Sequence, residues 1–260
     1  MGPSRRRCRG SAEKTREIAM RFGMIVLVAA LVGLLSSDGM CLEDKAADPK
    51  PNAGALITEL MRVHLDGQKT DMAIWLPFEG FVAIAESQGG DHAAAERDVA
   101  ILKRYQILMV TRLVDDGTGN KNFATEEQLR DSVVLRGADD LEVKALATVP
   151  PQVSAMAAGM RQAMAAQGGE NGANMRLLFF PAAVKGKTLV DVPNKGKLTL
   201  VCKPIGDFDA YTCDWRTPLD ALHGMDTCPH CHELVSGKWS FCPWCGQSLE
   251  KDVKHDKAKN

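Results

Sequence analysis

The chain has 260 residues, a length that allows one domain with a sizeable hydrophobic core. Its formal net charge is −1, from 32 basic and 33 acidic residues. Seven of the basic and three of the acidic residues lie in residues 1–39, so the remainder carries 25 against 30, a net charge of −5. Proteins that bind a phosphate backbone usually present clustered Lys and Arg, so this balance argues against nucleic-acid binding.

The first 39 residues have the pattern of a secretory signal peptide. Seven basic side chains precede an apolar run over residues 24–35. A transmembrane helix needs about 20 apolar residues, and this run is shorter, so a signal is favoured over a membrane span. The small residues Ser37 and Gly39 predict cleavage before Met40. The mature protein is therefore expected to be exported, to the periplasm, the cell envelope or the medium.

Two alternatives to a cleaved signal peptide can be considered. In the first, the N-terminal segment is not cleaved and anchors the protein in the membrane, and this segment would be the protein's only contact with lipid. In the second, Cys41 is lipidated, which we disfavour because the residue directly before it, Met40, is not small.

The polar stretch before Met20 is long for a signal peptide, which suggests that translation starts at Met20. Residues 40–52 are predicted to form a polar linker.

Residues 53–222 are predicted to form the body of the protein. Helices and strands are mixed there without the regular alternation of a doubly wound sheet, so we expect an α+β fold with a mainly antiparallel sheet and packed helices. In chain order, the expected elements are a helix over 53–65, a strand over 71–78, helices over 80–86 and 92–105, a strand over 107–113, a short helix behind a capping box at 125–128, strands over 132–136 and 142–148, a helix over 151–167, and strands over 175–180 and 198–201.

Two cysteines of the body, Cys202 and Cys213, flank a predicted hairpin. If they stand opposite each other on paired strands, they can form a disulfide. If they do not, they are two buried free thiols, and the sequence leaves both possibilities open.

Four cysteines near the C-terminus have the spacing of a metal site. They form two Cys-Pro-x-Cys pairs separated by ten residues: Cys228 with Cys231, and Cys242 with Cys245. Two thiolates separated by two residues can hold an ion from one tight turn. Two such turns together complete the tetrahedral sulfur cage that Zn²⁺ prefers.

The segment between the two cysteine pairs is predicted to form a hairpin. Residues 232–235 and 238–241 are short runs able to pair as strands, and Ser236-Gly237 supplies a two-residue turn. This hairpin would bring the two pairs of thiols together.

The pattern Cys-Pro-His-Cys and Cys-Pro-Trp-Cys-Gly resembles the zinc-ribbon family over about residues 227–249. The resemblance implies a structural zinc ion with no open coordination position, which holds a small module over 224–249 and often presents it to a protein partner. Many ribbons have glycine after the first cysteine pair, as Gly246 follows the second, but His232 stands there. His230 or His232 could therefore replace one thiolate. Residues 250–260 are predicted to be a disordered tail.

The main non-metal alternative is a redox dithiol at Cys228 and Cys231. A reactive thiol of that kind usually follows a buried strand and begins a helix. Residues 222–227 are turn-like and nothing helical follows, so we disfavour the redox interpretation. An oxidising compartment also favours pairing of thiols, whereas early zinc capture would protect them.

Other features of the body favour packing over chemistry. His64 and His92 have no adjacent nucleophile motif, and each is expected to be a surface or packing residue. The aromatic cluster around Trp75 and Phe78 is expected to belong to the core, with a ligand groove as the alternative. The sequence contains no recognisable catalytic motif.

These observations favour an exported, non-enzymatic envelope protein whose zinc module mediates a protein–protein interaction. One alternative is a hydrolase or thiol-redox enzyme with an active site assembled from scattered body residues. Another is an adaptor that faces the cytoplasm from an uncleaved membrane anchor.

Overall fold

The structure is a computed structural model that describes residues 53–87, 90–223 and 225–249. The predicted signal peptide over 1–39, the linker over 40–52 and the tail over 250–260 lie outside these residues and stay predictions. Within the described ranges, no helix is long and apolar enough to cross a membrane.

The described chain contains six α-helices and thirteen strands. The helices are α1 (Ala53–Leu60), α2 (Phe78–Ser87), α3 (His92–Val99), α4 (Glu126–Ser132), α5 (Pro151–Ala173) and α6 (Asp220–His223). The strands are β1 (Met61–Asp66), β2 (Lys69–Leu76), β3 (Tyr105–Asp115), β4 (Lys121–Phe123), β5 (Val133–Arg136), β6 (Glu142–Lys144), β7 (Arg176–Pro181), β8 (Ala183–Val184), β9 (Lys187–Thr188), β10 (Gly196–Cys202), β11 (Tyr211–Thr217), β12 (Asp226–Thr227) and β13 (Leu234–Val235).

Local sequence signals set several helix ends. The predicted capping box of α4 is confirmed: the Gln128 amide donates to Thr125 Oγ1 at 3.1 Å, and the Thr125 amide donates back to Gln128 Oε1 at 2.9 Å. Asp91 caps α3 by accepting from the Ala94 amide at 2.9 Å. In α5 the helical conformation is interrupted at Gly169, whose φ is 53°. The pair Gly168-Gly169 therefore interrupts the helix, as the conformational freedom of glycine predicts.

The body is built from two antiparallel sheets, which confirms the predicted α+β class. The first has the order β1-β2-β3, and β4 and β7 both pair with β3. The length of β3 makes this possible, because residues 105–110 pair with β7 and residues 113–115 with β4. The second sheet has the order β11-β10-β5-β6.

The two sheets enclose a common core. The rings of Trp75 on β2 and Trp215 on β11 are 6.0 Å apart, and both side chains are fully buried. The Trp215 indole also donates to the Leu60 carbonyl at 2.6 Å, which satisfies its polar atom. At one edge, Arg62 Nε on β1 donates to the Asp214 carbonyl on β11 at 2.8 Å, so the sheets are joined there as well.

A buried ion pair lies between the sheets. Arg112 on β3 is 1% exposed, and its Nε donates to Asp71 Oδ1 on β2 at 2.5 Å. Its remaining nitrogens donate to the carbonyls of Lys203 and Asp209, and the guanidinium lies 5.2 Å from the Phe208 ring. This arginine therefore fastens the loop between β10 and β11 to the first sheet.

The helix predicted over 53–65 is wrong beyond Leu60. Met61–Asp66 instead form β1, which pairs with β2 over six residues, from Met61 opposite Ile74 to Asp66 opposite Lys69. Alternate residues of this segment are apolar, so the period of two that suits an edge strand is present beside the helical spacing.

The hairpin of β10 and β11 does not place its two cysteines opposite each other. Cys202 pairs with Tyr211, and Cys213 pairs with Leu200. Diagonal positions of this kind are about 7–8 Å apart, beyond the reach of a disulfide. Both thiols are free, and burial raises the pKa of Cys202 to about 12 and that of Cys213 to about 11. They are therefore poor nucleophiles at neutral pH.

Candidate metal centre

Two hairpins of the same shape carry the four C-terminal cysteines. They cover residues 228–233 and 242–247, and each residue of the second stands 14 positions after its counterpart. In both, the amide of the first cysteine donates to the carbonyl five residues later, at 2.9 and 2.8 Å. The amide four residues later donates back to that cysteine's carbonyl, at 3.0 and 2.8 Å. The cysteine module, residues 225–249, is thus one motif used twice.

The hairpin predicted between the cysteine pairs is wrong. Leu234–Val235 pair with Asp226–Thr227, which precede the first cysteine pair, and not with residues 238–241. The matching contact of the second hairpin is the bridge between Phe241 and Ser248. Each cysteine pair therefore closes its own hairpin. Gly237 does not form the predicted turn between paired strands. It lies close to the body, where a Cβ would be 3.0 Å from Pro218 Cγ.

The four cysteine sulfurs converge on one point. Sγ of Cys228 lies 3.8 Å from Sγ of Cys245, and Sγ of Cys231 lies 3.6 Å from Sγ of Cys242. All four atoms are within 4.8 Å of one another. A tetrahedral ion with bonds of about 2.3 Å to sulfur requires sulfurs about 3.8 Å apart, whereas a disulfide requires about 2.05 Å. The spacing therefore suits one shared metal ion, and the clustered ligand atoms include no histidine nitrogen.

Backbone amides of the hairpins point at the sulfurs. The amides of Cys231 and His230 donate to Cys228 Sγ and lower the pKa of that thiol to about 6. At equivalent places in the two hairpins, the amides of Glu233 and Gln247 donate to the sulfurs of Cys231 and Cys245, but burial and neighbouring cysteine sulfurs outweigh these bonds and raise the pKa of both thiols. Such bonds stabilise thiolates, which are the form that binds metal. The amides therefore favour a thiolate at Cys228, and a bound cation would offset the repulsion that opposes further thiolates beside it.

His232 adopts the backbone conformation of a glycine. Its φ is 63°, and φ of Gly246, its counterpart in the second hairpin, is 70°. The departure from the ribbon pattern noted in the sequence is therefore absorbed without a change in loop shape. A side chain in this left-handed region costs about 1–2 kcal/mol.

We expect His232→Gly to stabilise the metal-loaded module by about 1 kcal/mol, because the strain of a left-handed side chain is removed. Gly246→Ala introduces that strain at the matching place and should destabilise the module by a similar amount. Competition with a chelator would measure both effects as opposite shifts in metal affinity. Shifts of the same sign in the two variants would contradict the equivalence of the loops.

Large apolar side chains are exposed on the cysteine module. Five of the eight large hydrophobic residues that are exposed in the described chain lie within residues 225–249. They are Met225 (48%), Leu234 (59%), Trp239 (39%), Phe241 (64%) and Trp244 (67%). The Trp244 indole donates to the Leu234 carbonyl at 3.4 Å, which brings these two residues together.

A polar network fastens the module to the body. Lys238 Nζ is paired with the carboxylates of Glu59 on α1 and Asp220 on α6. Ser236 Oγ donates to Asp220 Oδ1 at 2.7 Å, and Glu59 also accepts from the amides of Asp220 and Ala221, at 3.0 and 2.8 Å. The cysteine module is thus held in a defined place beside α6.

A cleft in the body brings several titratable groups together. Its volume is about 680 Å³. It is lined by residues of α2, α3, the start of β3, the segment 182–192 and the end of α6. Four acidic residues, two histidines and one lysine face it: Glu79, Glu86, Glu96, Asp191, His92, His223 and Lys103. No linear motif announces this cleft, because its residues come from five separated segments.

The histidine and aromatic candidates of the sequence fall in different places. His64 stacks on Tyr211 with ring centres 5.2 Å apart, in agreement with the expected packing role. His92 is on the surface, as expected, with its side chain 65% exposed, and at the edge of the cleft its Nδ1 is hydrogen-bonded to the Glu86 carboxylate. Trp75 is in the core as expected, whereas the half-buried Phe78 lines the cleft.

Comparison with protein-family models, with curated proteins and with solved structures finds no match to this chain.

Proposed function

We propose that the cysteine module is a zinc ribbon in which Cys228, Cys231, Cys242 and Cys245 hold one structural Zn²⁺. The observation that carries the proposal is the convergence of four sulfurs within 4.8 Å on two equivalent hairpins. Four soft thiolates at tetrahedral spacing are a donor set that Zn²⁺ favours. Four protein ligands leave no position for a substrate, so the ion's role is structural.

The small interior of the module supports the same proposal. Its own buried cluster consists of Cys228, Val235 and Cys242, with Cys231 and Leu249 packed against it. Three buried residues cannot offset the entropy lost when about 25 residues are ordered. A metal ion supplies the missing free energy in modules of this size.

The exposed apolar residues support a docking role for the ribbon. We propose that Leu234, Phe241 and Trp244 form the part of the module that meets a protein partner. Exposed aromatic residues are characteristic of protein interfaces, and the network around Lys238 presents them in a fixed orientation.

Trp244→Ala should weaken capture of the partner by about tenfold or more, because buried tryptophans dominate many interfaces. The experiment compares proteins recovered by the full chain, by Trp244→Ala and by a chain lacking residues 224–260. Leu65→Ser is the matched control, because Leu65 is 70% exposed but lies on β1 of the body. An unchanged partner set in both the variant and the truncation would remove the ribbon from the interaction.

Export of the mature chain is part of the proposal. It is supported by the basic start and short apolar run of residues 1–39 and by the net charge of −5 that remains without them. N-terminal sequencing of the protein from its native host should begin at Met40. A retained N-terminal segment would instead support the membrane-anchored adaptor and place the thiols in a reducing compartment.

The cleft favours an enzyme as the second candidate function. The Glu86 carboxylate holds His92 by Nδ1, and the His92 side chain is 65% exposed, an arrangement that suits a general base. A hydrolase would use this pair to activate water. His92→Gln would abolish such an activity while leaving zinc content unchanged, which separates this candidate from the ribbon.

A further inference from the structure

We propose that the body cleft binds a basic amino acid, either free or as a residue of a peptide. The proposal does not depend on the ribbon's role as a docking surface. It rests on three features of the cleft: an apolar floor with acidic residues at its ends, a carboxylate without a partner, and a glutamine whose amide nitrogen is free to donate.

The floor of the cleft is one face of α2. Glu79, Val82, Ala83 and Glu86 all line the cleft, and their spacing of three, four and seven residues places them on one side of the helix. Val82 and Ala83 are buried, and the backbone positions of Glu79 and Glu86 are about 10.5 Å apart along the helix axis. An aliphatic chain that ends in an ammonium group matches an apolar strip that ends in a carboxylate.

Glu79 is the carboxylate available to such an ammonium group. Glu86 is bonded to His92, Glu96 is paired with Lys103 at 2.7 Å, and Asp191 accepts from the Asn194 side-chain amide at 2.8 Å. Glu79 is half-buried and makes no hydrogen bond or ion pair with any residue in the described part of the chain. A partly desolvated carboxylate without a cation attracts one strongly, because its charge is poorly screened.

Gln106 supplies a donor for the other end of the ligand. It lines the cleft and is only 7% exposed, and its Oε1 accepts from the Trp75 indole at 2.9 Å. An indole nitrogen can only donate, so this contact fixes which end of the amide is oxygen. The amide nitrogen has no hydrogen-bond partner among the described residues. It is therefore free to donate to an acceptor of the ligand, such as the carboxylate of an amino acid or the carbonyl of a peptide.

The volume of the cleft agrees with this class of ligand. About 680 Å³ lies within the range of sites that bind small molecules, and it exceeds what one amino acid fills. The cleft is open on one side, so the neighbouring residues of a peptide can leave it. Phe78 and Tyr105 add aromatic surface beside the apolar floor.

Calorimetric titration of the zinc-loaded chain tests the proposal with three probes. They are L-lysine, Nα-acetyl-L-lysine methylamide, and Nα-acetyl-L-norleucine methylamide, which lacks the amine. We expect at least one lysine probe to bind, and the norleucine probe to bind at least about tenfold more weakly. Stronger binding of free lysine would identify a free amino acid as the ligand, and stronger binding of the capped probe would identify a peptide.

Glu79→Gln should weaken binding of the lysine probe by about tenfold or more and leave binding of norleucine unchanged. Glu127→Gln is the control, because Glu127 is exposed on α4 outside the cleft. Thermal unfolding of both variants checks that each is folded. No binding of either lysine probe at millimolar concentration, equal binding of norleucine, or unchanged affinity in Glu79→Gln would each overturn the proposal.

Discussion

Replacing Cys242 and Cys245 with serine should reduce bound zinc from about one ion per chain to nearly none. Two of the four thiolates are lost, and hydroxyl groups do not replace thiolates as zinc ligands at neutral pH. Structural zinc contributes about 10–16 kcal/mol to the folding of comparable modules, so residues 225–249 should lose their structure. Metal analysis after dialysis measures the first effect, and amide hydrogen exchange measures the second.

Two comparisons make this result specific. The same change at Cys228 and Cys231 should have the same effect, because the two hairpins contribute equally to the sulfur cluster. Replacing the body cysteine Cys213 with alanine should leave one zinc per chain. Undiminished zinc in the Cys242→Ser, Cys245→Ser protein would refute the assignment of the site.

Asp71→Ala should lower the free energy of unfolding of the body by about 3–5 kcal/mol. The substitution leaves the Arg112 guanidinium, which is 1% exposed, without its carboxylate between the two sheets. A buried charge without a partner costs far more than the pair itself contributes. Urea unfolding followed by the fluorescence of the buried Trp75 and Trp215 would report the loss.

The double variant Asp71→Ala, Arg112→Met should recover part of this loss, because it removes the unpaired charge. Lys187→Ala is the control for a surface pair. Lys187 and Asp139 are 2.8 Å apart, and their side chains are 66% and 71% exposed, so removal of this pair should change the free energy of unfolding little. A loss in Asp71→Ala no larger than in this control would contradict the role of the buried pair.

The sequence predicts best where local chemistry decides the structure. The capping box at Thr125 and the helix break at Gly169 are set by neighbouring residues, and both are found where expected. The four cysteines were recognised because metal ligands must have a fixed spacing. These features depend on short segments alone.

Prediction failed where distant pairing decides the structure. Met61–Asp66 satisfy helical and strand periods equally, and only β2 selects the strand. Leu234–Val235 could pair with the segment that follows them or with Asp226–Thr227, and the amide hydrogen bonds of the first cysteine hairpin select Asp226–Thr227. The cleft residues come from five separated segments, so no linear pattern could bring Glu79 and Gln106 together.

Because the cysteine hairpin occurs twice, each copy depends on the other to complete the cysteine cluster. Each hairpin contributes two of the four cysteines, and the buried cluster contains residues of both hairpins. In the proposed zinc-bridged module, the availability of zinc would decide whether residues 225–249 are folded. A shortage of zinc would then remove the proposed docking surface and leave the two-sheet body folded.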